Sequence, residues 1–97
     1  MFATSYNNIG AVYDSQGRYE EALQEYEKGL KIQVDKLGHV HLDVAASKLN
    51  IGLLFKKINR KEEAKQLFLE AAAIRRKVFG PDHASTKKSE RLAATCE

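Results

Sequence analysis

His39 and His41, one residue apart, are the pair in this chain whose types come nearest to metal ligands. Two imidazoles fall short of the three or four ligands a zinc site needs, and Cys96 is far away along the chain. His41 also reappears 42 positions later as His83, which points to packing or capping in a repeated loop. A single cysteine rules out an internal disulfide framework and suits a reducing compartment, and Cys96 near a terminus is expected to be inert. Glu20-Glu21 and Glu62-Glu63 are paired carboxylates, but each pair opens a helical stretch, where acids offset the positive end of the helix dipole. No nucleophile sits beside a base, and no Gly-rich phosphate loop occurs. Tyr6, Tyr13, Tyr19 and Tyr26 could stack on bases, yet their helical spacing matches a packing stripe, and a pI near 9.0 is mild for a nucleic-acid binder. The expectation is a protein that is not an enzyme, needs no metal or cofactor, and does not bind nucleic acid.

What must position any functional residue is an internal repeat. Shifted by 42 residues the chain matches itself: Asn8-Ile9-Gly10 falls on Asn50-Ile51-Gly52, and Arg18, Glu20, Glu21, Ala22 and Gln24 fall on Arg60, Glu62, Glu63, Ala64 and Gln66. Ile32 falls on Ile74, Gly38 on Gly80, His41 on His83, and Tyr13 and Tyr26 on Phe55 and Phe68. A fixed period of this size marks stacked units, none of which can bury its own apolar face alone.

The apolar spacing within each unit is helical. Tyr19, Ala22, Leu23, Tyr26, Leu30, Val34 and Leu37 recur at threes and fours and form one stripe over 19–37. Phe2, Tyr6, Ile9, Gly10 and Tyr13 do the same over 2–16. The second copy repeats both segments over 43–58 and 61–79, the latter through Ala64, Leu67, Phe68, Ala71, Ile74 and Val78; a shorter segment covers 83–96. Gly17 and its counterpart Asn59 fall where a left-handed residue would end a helix, as do Gly38 and Gly80. Asp82, after Pro81, reads as the N-cap of the last helix. Gly10 and Gly52, in mid-helix in both copies, imply backbones that approach closely.

With 97 residues there is room for one small domain, and no apolar run is long enough to span a bilayer. No signal peptide is evident, so a cytosolic setting is expected, with no membrane partner. The net charge of +3 hides an asymmetry. Residues 1–42 hold four basic and six acidic side chains, and residues 43–80 hold nine basic and four acidic. An acidic partner should therefore meet the second repeat.

Tyr6, Ile9-Gly10, Tyr13, Gly17, Tyr19, Ala22, Tyr26 and Leu30 together resemble the signature of a tetratricopeptide repeat, a helix–turn–helix unit. The longer 42-residue period, with Asn7-Asn8-Ile9-Gly10 and with Leu37-Gly38-His39-Val40-His41-Leu42-Asp43-Val44-Ala45 after the second helix, is similar to the repeats of kinesin light chains and their relatives. The resemblance covers nearly the whole chain. It implies an all-α, right-handed α-solenoid: repeat one over 1–42, repeat two over 43–84, and a capping or half-repeat helix over 83–97. Lys61 departs from the pattern where an aromatic is usual, as does Leu42 where proline is common, and Leu92 and Ala94 stand where Asn and Gly would sit. Two and a half units are few, which suggests a fragment of a longer array or a small protein that self-associates through its apolar ends.

The resemblance further implies a concave groove, lined by the first helix of each unit, that holds an extended peptide. Carried over, Asn8 and Asn50 would hydrogen-bond peptide backbone, for which an amide offers both donor and acceptor. Their recurrence fits equally a tie to the loop of a neighbouring unit. Asn7, Ala11, Asp14 and Ser15 in the first copy, and Leu49, Leu53, Lys56 and Lys57 in the second, are the variable groove positions on this geometry. Leu53 would supply an apolar contact and the two lysines a positive end, matching a short acidic-hydrophobic segment of another protein. Lys56 and Lys57 also fit a solvated helix end that complements the dipole. The expected role is a scaffold or cargo-adaptor module in the cytoplasm, motor-associated by resemblance; the competing role is self-assembly without a peptide.

Overall fold

The computed structural model describes the backbone of residues 3–95 and the side chains of residues 5–95. Phe2 and Cys96, for which the sequence carries expectations, lie outside the described residues. Five helices follow in order: α1 (Ala3–Ser15), α2 (Tyr19–Leu37), α3 (Leu42–Lys57), α4 (Lys61–Phe79) and α5 (Ala84–Ala94). Each packs against its chain neighbours, giving a slab of 35 × 32 × 17 Å with α1, α3 and α5 in one layer and α2 and α4 in the other. These are the helix–turn–helix repeats that the 42-residue period announces, packed in sequence.

The turn within each unit is built the same way twice. Gly17 at φ 76° and Asn59 at φ 64° take the left-handed conformation, for which glycine has no steric cost and asparagine a small one. The next residue is an arginine whose guanidinium lies over the aromatic ring that closes the first helix. Arg18 stands 4.6 Å from the Tyr13 centroid and Arg60 stands 4.7 Å from the Phe55 centroid. Arg18 also pairs with Glu21, and Arg60 with Glu63, one turn into the following helix. Such exposed contacts contribute little each, but they tie the turn to both helices of the unit.

Close packing inside each unit depends on the mid-helix glycines. A Cβ on Gly10 would lie 2.7 Å from Tyr26 Cδ1, and one on Gly52 would lie 2.7 Å from Phe68 Cε1. The aromatic ring of the second helix thus rests on the bare backbone of the first. Around this contact Ala22, Leu23 and Tyr26 join Val44, Ala45, Leu49, Ile51, Leu54, Phe55, Ala64, Phe68, Ala71 and Ile74 in a single core. Phe68, Leu54 and Val44 are fully buried, each stabilising the fold by about 1.5–3 kcal/mol through removal from water.

The stripes run out earlier than their spacing predicts. Leu37 and Val78, both on the apolar periodicity, are 43 % and 47 % exposed. The physical reason is length: α2 and α4 have 19 residues each against 13 in α1 and 16 in α3, so their last turns extend past the partner helix. The N-cap of the last helix is His83, not Asp82: His83 Nδ1 accepts from Ser85 N at 3.0 Å, and its ring stacks on Phe79 at 4.1 Å. His41 does the same at α3, accepting from Asp43 N at 3.0 Å. The recurring histidines therefore act as helix caps through Nδ1.

Candidate functional site

Equivalent first-helix residues form rows across α1 and α3. On α1 the row is Asn8, Ala11 and Ser15, all exposed. On α3 it is Asn50, Leu53 and Lys57, also exposed and at the same spacings. Spacings of three and seven put each trio on one helix face. The Asn7–Ser47 and Lys57–Asp14 hydrogen bonds link α1 to α3, and the Asn8 and Asn50 amides occupy equivalent places one unit apart. Leu53, 37 % exposed, is the apolar side chain presented between them and the lysines.

The remaining expected groove residues are placed differently. Leu49 is only 9 % exposed and belongs to the core, so it supports the face from beneath and offers a ligand little surface. It is one residue before Asn50, a rotation of about 100° that turns it toward the next unit. Asn7, its counterpart, is half-buried and donates from Nδ2 to Ser47 Oγ at 3.5 Å, while its Oδ1 is buried without a hydrogen-bond partner among the described residues. Ser15 Oγ donates to the Ala11 carbonyl at 3.0 Å, a bond within its own helix.

Both lysines reach across to a neighbouring unit. Lys57 Nζ donates to Asp14 Oδ1 of α1 at 2.9 Å. That bond holds the Lys57 ammonium above the usual lysine range, partial burial opposing it and the Asp14 charge adding to it. Lys56 Nζ donates to Thr95 Oγ1 of α5 at 2.9 Å. The positive groups thus sit in the seams between α1, α3 and α5. Lys57, though exposed, is paired with a carboxylate, and Lys56 with a hydroxyl.

A second set of polar residues ties the units together, and the sequence reading did not single it out. Ser47, 2 % exposed, donates to Gln33 Oε1, joining α3 to α2. One period on, Arg75 donates to Ser89 Oγ at 2.7 Å and to the Ser85 carbonyl at 3.4 Å, joining α4 to α5. The signal was available, since Ser47 and Ser89 are themselves 42 residues apart, as are Gln33 and Arg75. On the other layer boundary Lys48 Nζ donates to Glu70 Oε1 at 2.7 Å, across α3 and α4. Burial pushes the Glu70 carboxyl up, but the hydrogen bonds from Lys48 and Gln66 outweigh it and hold the group below the usual range. Among the described residues no group of three or more His, Cys, Asp or Glu could hold a metal ion. Nor is any described helix long and apolar enough to cross a membrane.

Paired helices on a 42-residue period, with bare glycine under an aromatic ring in each unit, define a helical repeat protein, and the tetratricopeptide repeat family profile matches residues 1–77. The chain belongs to that family. It is 32 % identical over 72 residues to protein O-mannosyl-transferase Tmtc3 of Drosophila melanogaster, a match that spans 74 % of this chain and 7 % of that protein. Among solved structures it is similar to BtubC (BKLC) from P. vanneervenii, with a TM-score of 0.87 at 24 % identity over 97 % of this chain and 37 % of that one. It is also similar to the nearly identical TPR-like repeats of a Podosopora anserina putative kinesin light chain, with a TM-score of 0.85 at 23 % identity over 97 % of this chain and 44 % of that one. At these identities the likeness is one of fold. The chain spans well under half the length of each of these relatives, and the described residues hold repeat helices only.

Proposed function

We propose that the α1–α3–α5 face is a concave groove that binds a short acidic-hydrophobic segment of another protein. Tetratricopeptide repeats are in general protein–protein interaction modules, and this chain carries two of them with a further helix. The observation that carries the reading is the matched pair of exposed amides, Asn8 and Asn50, at equivalent positions on adjacent units. Each amide can both donate to and accept from an extended main chain, as strand-like peptide recognition requires. Leu53 supplies an apolar contact beside them, and the excess of cations in residues 43–80 favours acidic side chains. The reading makes the chain a cytosolic scaffold or cargo adaptor, the role that likeness to kinesin light chains implies, and assigns it no catalysis.

The test is fluorescence anisotropy with a degenerate peptide pool having a fixed Glu-Leu-Glu centre. Saturable binding that weakens at least several-fold in the Asn8→Ala, Asn50→Ala double variant supports the reading. Binding that ignores both substitutions contradicts it.

One observation favours a second reading, self-association through the α1 end. Leu54 in the second unit is 0 % exposed, whereas its counterpart Val12 in the first is 56 % exposed. The opposite end is polar by comparison: Lys87, Arg91 and Ala94 on α5 replace Ala45, Leu49 and Gly52, as suits a capping helix. Light scattering against concentration separates the two, since assembly through α1 would be abolished by Val12→Glu and peptide binding would not.

A further inference from the structure

We propose that Asp14 is a specificity-determining residue of the groove, an internal carboxylate that occupies Lys57 and that an acidic ligand must displace. The inference rests on the peptide reading above and concerns how that site selects its ligand. Its ground is the inequality of two adjacent lysines. Lys57 Nζ is already held at 2.9 Å by a carboxylate from the preceding unit, with the Asp14 side chain 19 % exposed and Lys57 51 % exposed. Lys56 Nζ is held by the Thr95 hydroxyl, a neutral acceptor. A ligand carboxylate that meets Lys56 exchanges a hydrogen bond to a neutral hydroxyl for an ion pair. A carboxylate that meets Lys57 must break an ion pair already formed, and it then lies beside the displaced Asp14 charge.

The repeat makes the asymmetry specific to this junction. Asp14 and Lys56 are equivalent positions 42 residues apart, so the charge at this place inverts between the first unit and the second. A ligand with one acid is served by Lys56, and a second acid gains little while Asp14 is present. Asp14 therefore sets how many acidic side chains the groove rewards. It lies in the last turn of α1, where a negative charge opposes the helix dipole, so its neutralisation does not remove a helix-stabilising charge.

The experiment compares wild type, Asp14→Asn, Lys57→Gln and the double variant as full chains. The probes are two fluorescent pools, one with a Leu-Glu-Glu centre and one with Leu-Gln-Gln. Thermal melts first establish that each variant folds. At low ionic strength Asp14→Asn is expected to tighten binding of the acidic pool about two- to five-fold, the range that exposed ion pairs support. It is expected to leave the Gln pool unchanged and to have no effect in the Lys57→Gln background. Raised salt should shrink the difference. If wild type binds the acidic pool and Asp14→Asn binds it equally, or if tightening extends to the Gln pool or persists without Lys57, the inference is overturned while the peptide reading stands. If no variant binds either pool saturably, the peptide reading and the inference fall together.

Discussion

Gly52 has no room for a methyl group, because Phe68 Cε1 stands 2.7 Å from where its Cβ would be. In an open helix the change to alanine would add about 0.5–1 kcal/mol of stability. Here the ring must shift inside a close-packed core, so Gly52→Ala is expected to destabilise by about 1–3 kcal/mol in urea titration, and Gly10→Ala to act in the same direction against Tyr26. A stabilising Gly52→Ala would contradict the packing. Glu70 gives a second side-chain prediction. Its carboxyl is held below the usual range despite burial, by Lys48 and Gln66. A depressed folded-state value means that its stabilisation is present above the unfolded value and is lost as pH falls through the folded one. Wild type and Glu70→Gln should thus differ in melting temperature at neutral pH, with the gap starting to narrow near the ordinary glutamate value of about 4.3 and closing only below the lower folded-state value. The glycines could be read from the sequence because they recur without any helical reason to do so. The Lys48–Glu70 and Lys57–Asp14 pairs could not, since they join residues on different helices whose relative rotation no spacing encodes.

Among the helices, the first turns of α3 and α5 depend on a histidine that caps with Nδ1. Replacing His83 by alanine removes the acceptor for Ser85 N and the stack on Phe79. The expected cost is about 0.5–2 kcal/mol, the range for loss of a helix N-cap. It should appear as faster hydrogen exchange across α5 while α2 and α3 keep their protection. Equal loss of protection in all helices would contradict a locally acting cap. Helix existence and order followed from the 42-residue period and the apolar stripes. The ends did not follow fully. Asp82 carries a better capping side chain than His83 on propensity alone, yet the chain turns so that the imidazole meets the Ser85 amide in the first turn. Leu37 and Val78 continue a helical stripe yet stay exposed, because periodicity reports helix phase and says nothing of the neighbour's length. Likewise Leu49 looked like a groove residue because it adjoins Asn50, and one step along a helix was enough to turn it into the core.

In the whole molecule, two layers of helices leave one face whose exposed residues recur in register and another end where Val12 stands in the open. Val12→Glu is expected to leave the unfolding free energy within about 0.5 kcal/mol of wild type, as a surface change should, and to reduce any concentration-dependent mass in light scattering. A large loss of stability would show that Val12 is buried within a single chain. The central claim, that the α1–α3–α5 face is where a partner segment lies, is tested most directly by an amide-resolved NMR titration with the Glu-Leu-Glu peptide pool. The account predicts the largest shifts at Asn8, Asn50, Leu53 and Lys57, with Gln24 and Gln66 on the second helices unmoved. Shifts concentrated on Gln24, Gln66 or Val12, with Asn8 and Asn50 silent, would contradict it.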